Sequence, residues 1–209
     1  MNKNNTDNKI PIYQLESKEK VLNYYVKWTQ DNQYNLDMVD WNYSGPKNAV
    51  KLFSKYACDK SMVILDAGCG TGLVGKELLK EGFTDFIGLD FSKEMLNLVP
   101  KNLYQKIELV DLNSPLKFVD NNFDAILCVG TFTYGHVKAH SLNEFLRITK
   151  QGGLICFTVN EGIYEKYDFD KKIRELEENK KWYILELKKS DYIVNKDIKA
   201  WFCIAKKNN

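Results

Sequence analysis

Residues 62–75, reading MVILDAGCGTGLVG, constrain the fold of this 209-residue chain more than any other stretch. A continuous apolar run, too short for a helix, passes straight into Gly68, Gly70 and Gly72, after which Leu73 and Val74 open a helix-like segment. Glycines in that position let the backbone turn tightly and let a ligand approach the main chain. The following helix N-terminus offers unpaired N–H groups to an anionic part of the ligand. The segment is the strand–turn–helix of an α/β ligand-binding sheet.

The remainder of the chain carries the same alternation. Strand patterns fall at residues 62–67, 86–89 (leading into Asp90), 107–110 (leading into Asp111), 123–129, 154–159, 182–187 and 199–205. Helical spacing is read at 17–30, 47–57, 73–81, 93–99, 141–149 and 168–180, and residues 31–46, with Tyr34, Trp41 and Tyr43, read as a loop. The runs VILDA, ILCVG and LICFTV are apolar at successive positions, as in strands buried on both faces. Strands joined by helical crossovers imply an α/β, Rossmann-like three-layer sandwich. The two final strand-like runs have no helix between them, so a seven-stranded, mostly parallel sheet closed by an antiparallel last strand is expected.

Composition narrows the partners. Net charge is +2, and among 30 basic residues only Arg147 and Arg174 are Arg. Phosphate forks and guanine edges are read mainly by Arg, so a nucleic-acid substrate is disfavoured. The five cysteines are odd in number, widely spaced and contain no C-x-x-C, which points to a reducing compartment and to no metal site. No stretch approaches 18 consecutive apolar residues, and the start, MNKNNTDNK, is polar without the apolar core of a signal peptide. A cytoplasmic protein without a membrane partner is expected, its first 15 residues forming a disordered tail.

Gly70–Gly75 also spells G-x-G-x-x-G, the dinucleotide fingerprint. Asp66 argues against it, because a carboxylate at the loop mouth repels a pyrophosphate and suits a ligand with positive charge. The fingerprint's first glycine also comes directly off the strand, whereas Gly70 comes late. A phosphate loop of the G-K-[ST] kind is absent, since Gly75-Lys76 continues to Glu77.

LDAGCGTG resembles motif I of the class I S-adenosylmethionine-dependent methyltransferases. The resemblance implies that Asp90 holds the ribose hydroxyls, that Phe91 packs on the adenine with Met95 beside it, and that Asp111-Leu112 meets the adenine edge. FDAILCVG, 123–130, is similar to the family's fourth strand, whose end, at Val129, lies under the methionine part. LRITKQGG, with Leu146, Arg147, Lys150, Gly152 and Gly153, is similar to the L-R-x-x-K-P-G-G turn before the fifth strand, with Gln151 in place of proline. The similarity covers about residues 60 to 160. Within the class it is closest to the methyltransferase-like proteins named for the Williams–Beuren syndrome chromosomal region. It implies residues 61–209 as the class I methyltransferase domain and 16–60 as an N-terminal helical lid.

S-adenosylmethionine is then the expected cofactor, with S-adenosylhomocysteine as product. The expected cofactor contacts are Tyr25, Trp28, Tyr34, Asp66, Gly68, Cys69, Gly70, Gly72, Leu73, Asp90, Phe91, Met95, Asp111, Leu112 and Val129. The aromatics on residues 24–34 either pack on the sheet or close over the cofactor, where ring faces attract a sulfonium. His136, in TFTYGHV, either meets solvent or acts as a base, with Tyr134 and Tyr25 as further catalytic candidates; Glu161 is a lesser one. The fourth strand ends in Gly130-Thr131-Phe132-Thr133, without an Asn/Asp-Pro-Pro-aromatic motif, and no large insert is present to grip a macromolecule. An O, N or S nucleophile on a small molecule is the expected acceptor, and a monomer or homodimer the expected state. A protein methyltransferase or a non-catalytic cofactor-binding regulator are the alternatives.

Overall fold

Seven strands form one open sheet in the order β3-β2-β1-β4-β5-β7-β6 in the computed structural model, which describes residues 10–15 and 17–208. The strands are β1 (Ile64–Ala67), β2 (Phe86–Asp90), β3 (Lys106–Leu109), β4 (Phe123–Phe132), β5 (Thr149–Asn160), β6 (Trp182–Ile193) and β7 (Ile198–Lys207). β1 to β5 pair in parallel, and β7 runs antiparallel to both β5 and β6. The expected mostly parallel sheet with an antiparallel last strand is therefore present. The order reverses beside β1, so the carboxyl ends of β1 and β4 border the switch point where open α/β sheets bind ligands.

Among the described residues, seven α-helices accompany the sheet: α1 (Lys18–Trp28), α2 (Gln33–Asp40), α3 (Gly45–Ser54), α4 (Leu73–Lys80), α5 (Lys93–Asn97), α6 (Ser141–Ile148) and α7 (Phe169–Glu178). β1 is buried along its whole length, and Ala125–Val129 and Leu154–Val159 are buried at every position, so both faces of the central strands are covered. α3 lays Val50 and Phe53 on the sheet, with Ala57 buried just beyond its end. Arg147 on α6 explains the L-R part of its motif in structural terms. Its guanidinium donates to the carbonyls of Leu116 (3.0 Å) and Phe118 (2.8 Å) and pairs with Asp120 and Glu144. A planar five-donor fork thus clamps the irregular segment between β3 and β4, a task Lys cannot reproduce.

Two sequence expectations need correction. Residues 31–46 are not a loop: α2 forms there, entered through Asp31 (φ 50°) and Asn32 (φ 62°) in the left-handed region. Asn and Asp tolerate that conformation, so the chain reverses without glycine and the helix start carries no usual signal. The expected tail, residues 1–15, lies outside the described residues at 1–9. From Ile10 onward it is packed, with Ile10, Ile12 and Tyr13 buried and residues 11–14 forming a 3-10 turn.

Candidate active site

One large cleft opens at the carboxyl ends of β1, β2 and β4 and encloses about 1130 Å³ including its mouth. Its floor begins at the glycine turn. Gly68 (φ 84°) and Gly70 (φ 52°) both adopt left-handed backbone. A Cβ on Gly68 would stand 1.9 Å from Thr131 Oγ1, and one on Gly70 would press on the Met95 methyl at 3.3 Å. The loop is held to β2 by Gly68 and Cys69 N–H groups, which both donate to the Leu89 carbonyl at 2.7 and 2.8 Å.

Asp90 sits at the end of β2 in the cleft wall. One carboxylate oxygen accepts from the Gly70 N–H (2.8 Å) and the other from the Ser92 N–H (2.9 Å). Burial pushes its pKa up to about 6, while these donors pull it down. Each oxygen retains a lone pair for a further donor. Phe91, Met95, Asp111, Leu112, Val129, Cys69 and Leu73 line the same cleft. Asp111 is tied to Lys18 of α1 at 2.7 Å; burial is the largest single influence on its carboxyl and raises the pKa, but Lys18 and the Asn113 donors together outweigh it, so the pKa is lowered.

The N-terminal segment roofs the cleft. Tyr25, Trp28 and Tyr34 all line it, and the rings pack on each other with centroids 4.9–6.5 Å apart. Several hydrogen bonds fasten this roof to the sheet domain. Besides Lys18–Asp111, the Thr71 hydroxyl donates to Asn35 Oδ1 (2.7 Å), and Tyr25 Oη meets His136 Nε2 (2.9 Å). His136 Nδ1 faces the Tyr134 carbonyl oxygen at 2.5 Å, and a carbonyl can only accept. The proton therefore sits on Nδ1, and Nε2 accepts from the Tyr25 hydroxyl. Burial lowers the His136 pKa to about 4, so the ring is neutral.

Four expected site residues stand elsewhere. Asp66 is completely buried beneath the loop rather than lining the cleft, and it accepts a hydrogen bond from Tyr104 Oη at 2.6 Å. Gly72 lies off the cleft as well: its left-handed backbone starts α4, and a Cβ there would strike Leu103 at 2.6 Å. Tyr134 contributes its carbonyl, while its ring is buried against Tyr13 with centroids 5.1 Å apart. Glu161 is occupied by Lys189 and the Lys199 N–H. Residues that carried no motif also join the wall. Tyr43 and Tyr192 meet hydroxyl to hydroxyl at 2.9 Å, 149 positions apart in sequence. They cross the end of β4, where Gly130 (φ 84°) leaves room for the Tyr43 hydroxyl, 2.7 Å from where a Cβ would be. The aromatic character of Tyr43 was a usable signal; Tyr192 in a strand gave none.

Asp66 yields a stability prediction. Burial raises its pKa to about 7, against about 4 for an unfolded Asp. The folded state then binds the proton more tightly, so stability falls as pH rises from 4 to 7 and levels off above. Asp66→Asn removes the charge and keeps an acceptor for Tyr104. Its advantage over the natural chain is expected to grow by about 2–3 kcal/mol between pH 5 and pH 8, roughly 5–10 °C in Tm. Melting curves of the ligand-free protein check this, and an advantage independent of pH contradicts the assignment.

The parallel sheet, the glycine cradle at its switch point and the acid at the next strand end define a class I S-adenosylmethionine-dependent methyltransferase site. Comparison with known proteins agrees. A methyltransferase domain model matches residues 64–153. Methyltransferase-like protein 27 of Homo sapiens is 38% identical over 141 residues, covering 66% of this chain and 56% of that protein. Malonyl-[acyl-carrier protein] O-methyltransferase of Buchnera aphidicola subsp. Baizongia pistaciae is 34% identical over 145 residues, covering 66% and 57%. The matched domain and these relatives support a class I S-adenosylmethionine-dependent methyltransferase of the type 11/25 kind and imply S-adenosylmethionine as its cofactor. The chain spans little more than half the length of these two relatives. Among solved structures, a Haloferax volcanii methyltransferase in complex with the Trm112 methyltransferase activator superposes with a TM-score of 0.65 at 17% identity, over 88% of this chain and 98% of that one. The [4+2]-cyclase SpnF superposes with a TM-score of 0.61 at 15% identity, over 78% and 80%. Such likeness speaks for the fold alone, and the cyclase shows that this fold carries other chemistry.

The cleft fits that cofactor. Gly68 and Gly70 leave backbone space that any Cβ would fill, Asp90 has lone pairs to spare, and aromatic faces line the roof. Asp90 and Asp111 are its acids, and Lys18, its one cation among the described lining residues apart from neutral His136, is already paired. Among the described residues no group of three His, Cys, Asp or Glu is placed to hold a metal ion, and no helix is long and apolar enough to cross a membrane.

Proposed function

We propose that this protein transfers a methyl group from S-adenosylmethionine to an O, N or S nucleophile of a small-molecule acceptor. The observation that carries the reading is Asp90, buried at the strand end beside the glycine cradle with acceptor capacity left over. When bound, the cofactor supplies an electrophilic methyl group on a sulfonium, a good leaving group. The chain's own task is then mainly alignment and exclusion of water. Gly68, Gly70 and Asp90 would bind the cofactor, with Phe91, Met95 and Leu112 around the adenine. Tyr25, Trp28 and Tyr34 would form the dry roof. A narrow roofed cleft supports a small acceptor over a polypeptide.

His136 would take the proton of the nucleophile. Its Nδ1–H is fixed by the Tyr134 carbonyl, so Nε2 is the lone-pair side, and the Tyr25 hydroxyl marks the direction from which an acceptor O–H or N–H would donate. With a pKa near 4 the ring stays a free base above about pH 5. His136→Ala is expected to slow single-turnover methyl transfer by about 10²-fold or more with cofactor affinity unchanged. With cofactor saturating, the natural protein should lose rate as pH falls through about 4, and the variant should lose that limb. An identical limb in both removes His136 as the base.

Calorimetry with S-adenosylmethionine, S-adenosylhomocysteine and NAD(H) tests the cofactor, and a labelled-methyl screen against a metabolite extract tests transfer. Binding of NAD(H) without either sulfur ligand refutes the proposal.

A further inference from the structure

The cleft changes character across β1. Its charged residues, among the described lining, are Asp90 at the end of β2, Asp111 just past β3 and Lys18, which pairs with Asp111. On the other side of β1, toward β4 and β6, the described lining carries no charge. Three stretches of chain build that side. The N-terminal 3-10 turn brings Ile12 and Tyr13, and the Tyr13 hydroxyl bonds to the Thr133 and Asn160 side chains at the ends of β4 and β5. Residues 38–46 bring Met38, Trp41, Tyr43 and Pro46. They are stapled to the end of β6, where Tyr43 bridges Ile193 and the Asn195 N–H donates to the Trp41 carbonyl at 3.1 Å. β6 itself adds Tyr192 and Ile193.

The polar atoms of this chamber are engaged with one another. Tyr13 is committed to Thr133 and Asn160, and Tyr43 and Tyr192 meet hydroxyl to hydroxyl at 2.9 Å. What the walls offer a guest is therefore mainly apolar and ring surface, from Ile12, Met38, Trp41, Pro46 and Ile193. Ile12, Met38, Pro46 and Ile193 are buried yet border the open cleft. A guest that covers such surface gains hydrophobic free energy, as in most small-molecule pockets. A carboxylate, phosphate or ammonium entering here would lose its hydration and meet no counter-charge, which costs more than the walls return.

We infer that the methyl acceptor is an uncharged molecule with an apolar body, held in the chamber between the N-terminal turn, Met38, Trp41 and the end of β6. Calling the guest an acceptor rests on the proposed methyl transfer, and the experiment keeps the two apart. Two methionine methyl resonances of the full chain serve as separate reporters: Met95 for the cofactor cradle, where it faces Gly70, and Met38 for the chamber. Para-alkylphenols from methyl to propyl are titrated with and without saturating S-adenosylhomocysteine, beside phenols of matched length ending in carboxylate or ammonium. The alkyl series should shift Met38 and gain about threefold to fourfold in affinity per methylene. Both charged series should bind at least tenfold more weakly than the propyl member. In Met38→Lys, read by calorimetry, the carboxylate should become the tighter ligand. Trp41→Ala, at a less buried position, should flatten the alkyl trend whether or not the lysine variant folds. Charged members that match propylphenol, affinity independent of alkyl length, an unaltered trend in Trp41→Ala, or no Met38 shift with any probe overturns the inference. S-adenosylhomocysteine that leaves Met95 unmoved while alkylphenols still shift Met38 overturns the methyl-transfer reading and leaves the chamber standing.

Discussion

Asp90→Ala is expected to weaken S-adenosylmethionine binding by about 10²–10³-fold, the largest loss of affinity from any single side chain in the cleft. The size follows from the hydrogen bonds at stake. A bond to a charged group contributes about 1.5–3 kcal/mol, and two ribose hydroxyls would share this carboxylate. Its two oxygens already accept from Gly70 and Ser92 N–H groups, so alanine also removes the Gly70 tether, leaving the Leu89 carbonyl to hold the glycine turn to β2. Asp90→Asn separates the two effects. It keeps the shape and one acceptor oxygen, and its affinity should fall between those of the natural chain and the alanine variant. Calorimetry with S-adenosylmethionine gives the numbers, and circular dichroism confirms folding. Affinity within threefold of the natural protein in Asp90→Ala would take Asp90 out of the site.

Gly68→Ala should lower stability by about 2–4 kcal/mol, or roughly 5–15 °C in Tm, and abolish cofactor binding at ordinary concentrations. Two costs add. The backbone at φ 84° disfavours any Cβ, and the new methyl would overlap Thr131 Oγ1 at 1.9 Å and its Cβ and Cγ2 at 2.9 Å. Thr131 belongs to β4 and cannot retreat without disturbing the strand end. A double-mutant cycle distinguishes the terms. Thr131→Gly in the Gly68→Ala background should recover the steric part, giving a favourable coupling of about 1 kcal/mol or more, while the φ cost persists. Additive effects would mean that the two residues do not meet as described.

Asp66 shows how far local pattern could mislead. Its place before the glycines suggested a ligand contact, yet it lies beneath the loop, held by Tyr104 from the turn before β3. Nothing near Asp66 in sequence announces Tyr104, 38 positions away. Gly72 is a similar case. Its glycine is required, but by Leu103 packing and a left-handed helix start rather than by a ligand. The bare presence of an acid or a glycine in a motif does not say which surface it faces.

Features of short range were legible in the chain itself. Continuous apolar runs marked the buried strands, and the glycine turn with Asp90 at the next strand end marked the cofactor side, because hydrophobic periodicity and left-handed backbone are consequences of neighbouring residues. Tyr25 and Trp28 were likewise visible on one helical repeat, and with Tyr34, read as part of a loop, they line the cleft. The far wall of the cleft was another matter. Tyr13, Tyr43, Thr133 and Tyr192 come from the N-terminal segment, the end of β4 and a late strand, and they share one cleft only because the sheet order brings β6 and β7 to the side of β5. Side-chain burial and hydrogen-bond pairing across such distances depend on packing, not on neighbours in sequence, so the tertiary structure alone decided which of this chain's many tyrosines face the reacting cleft.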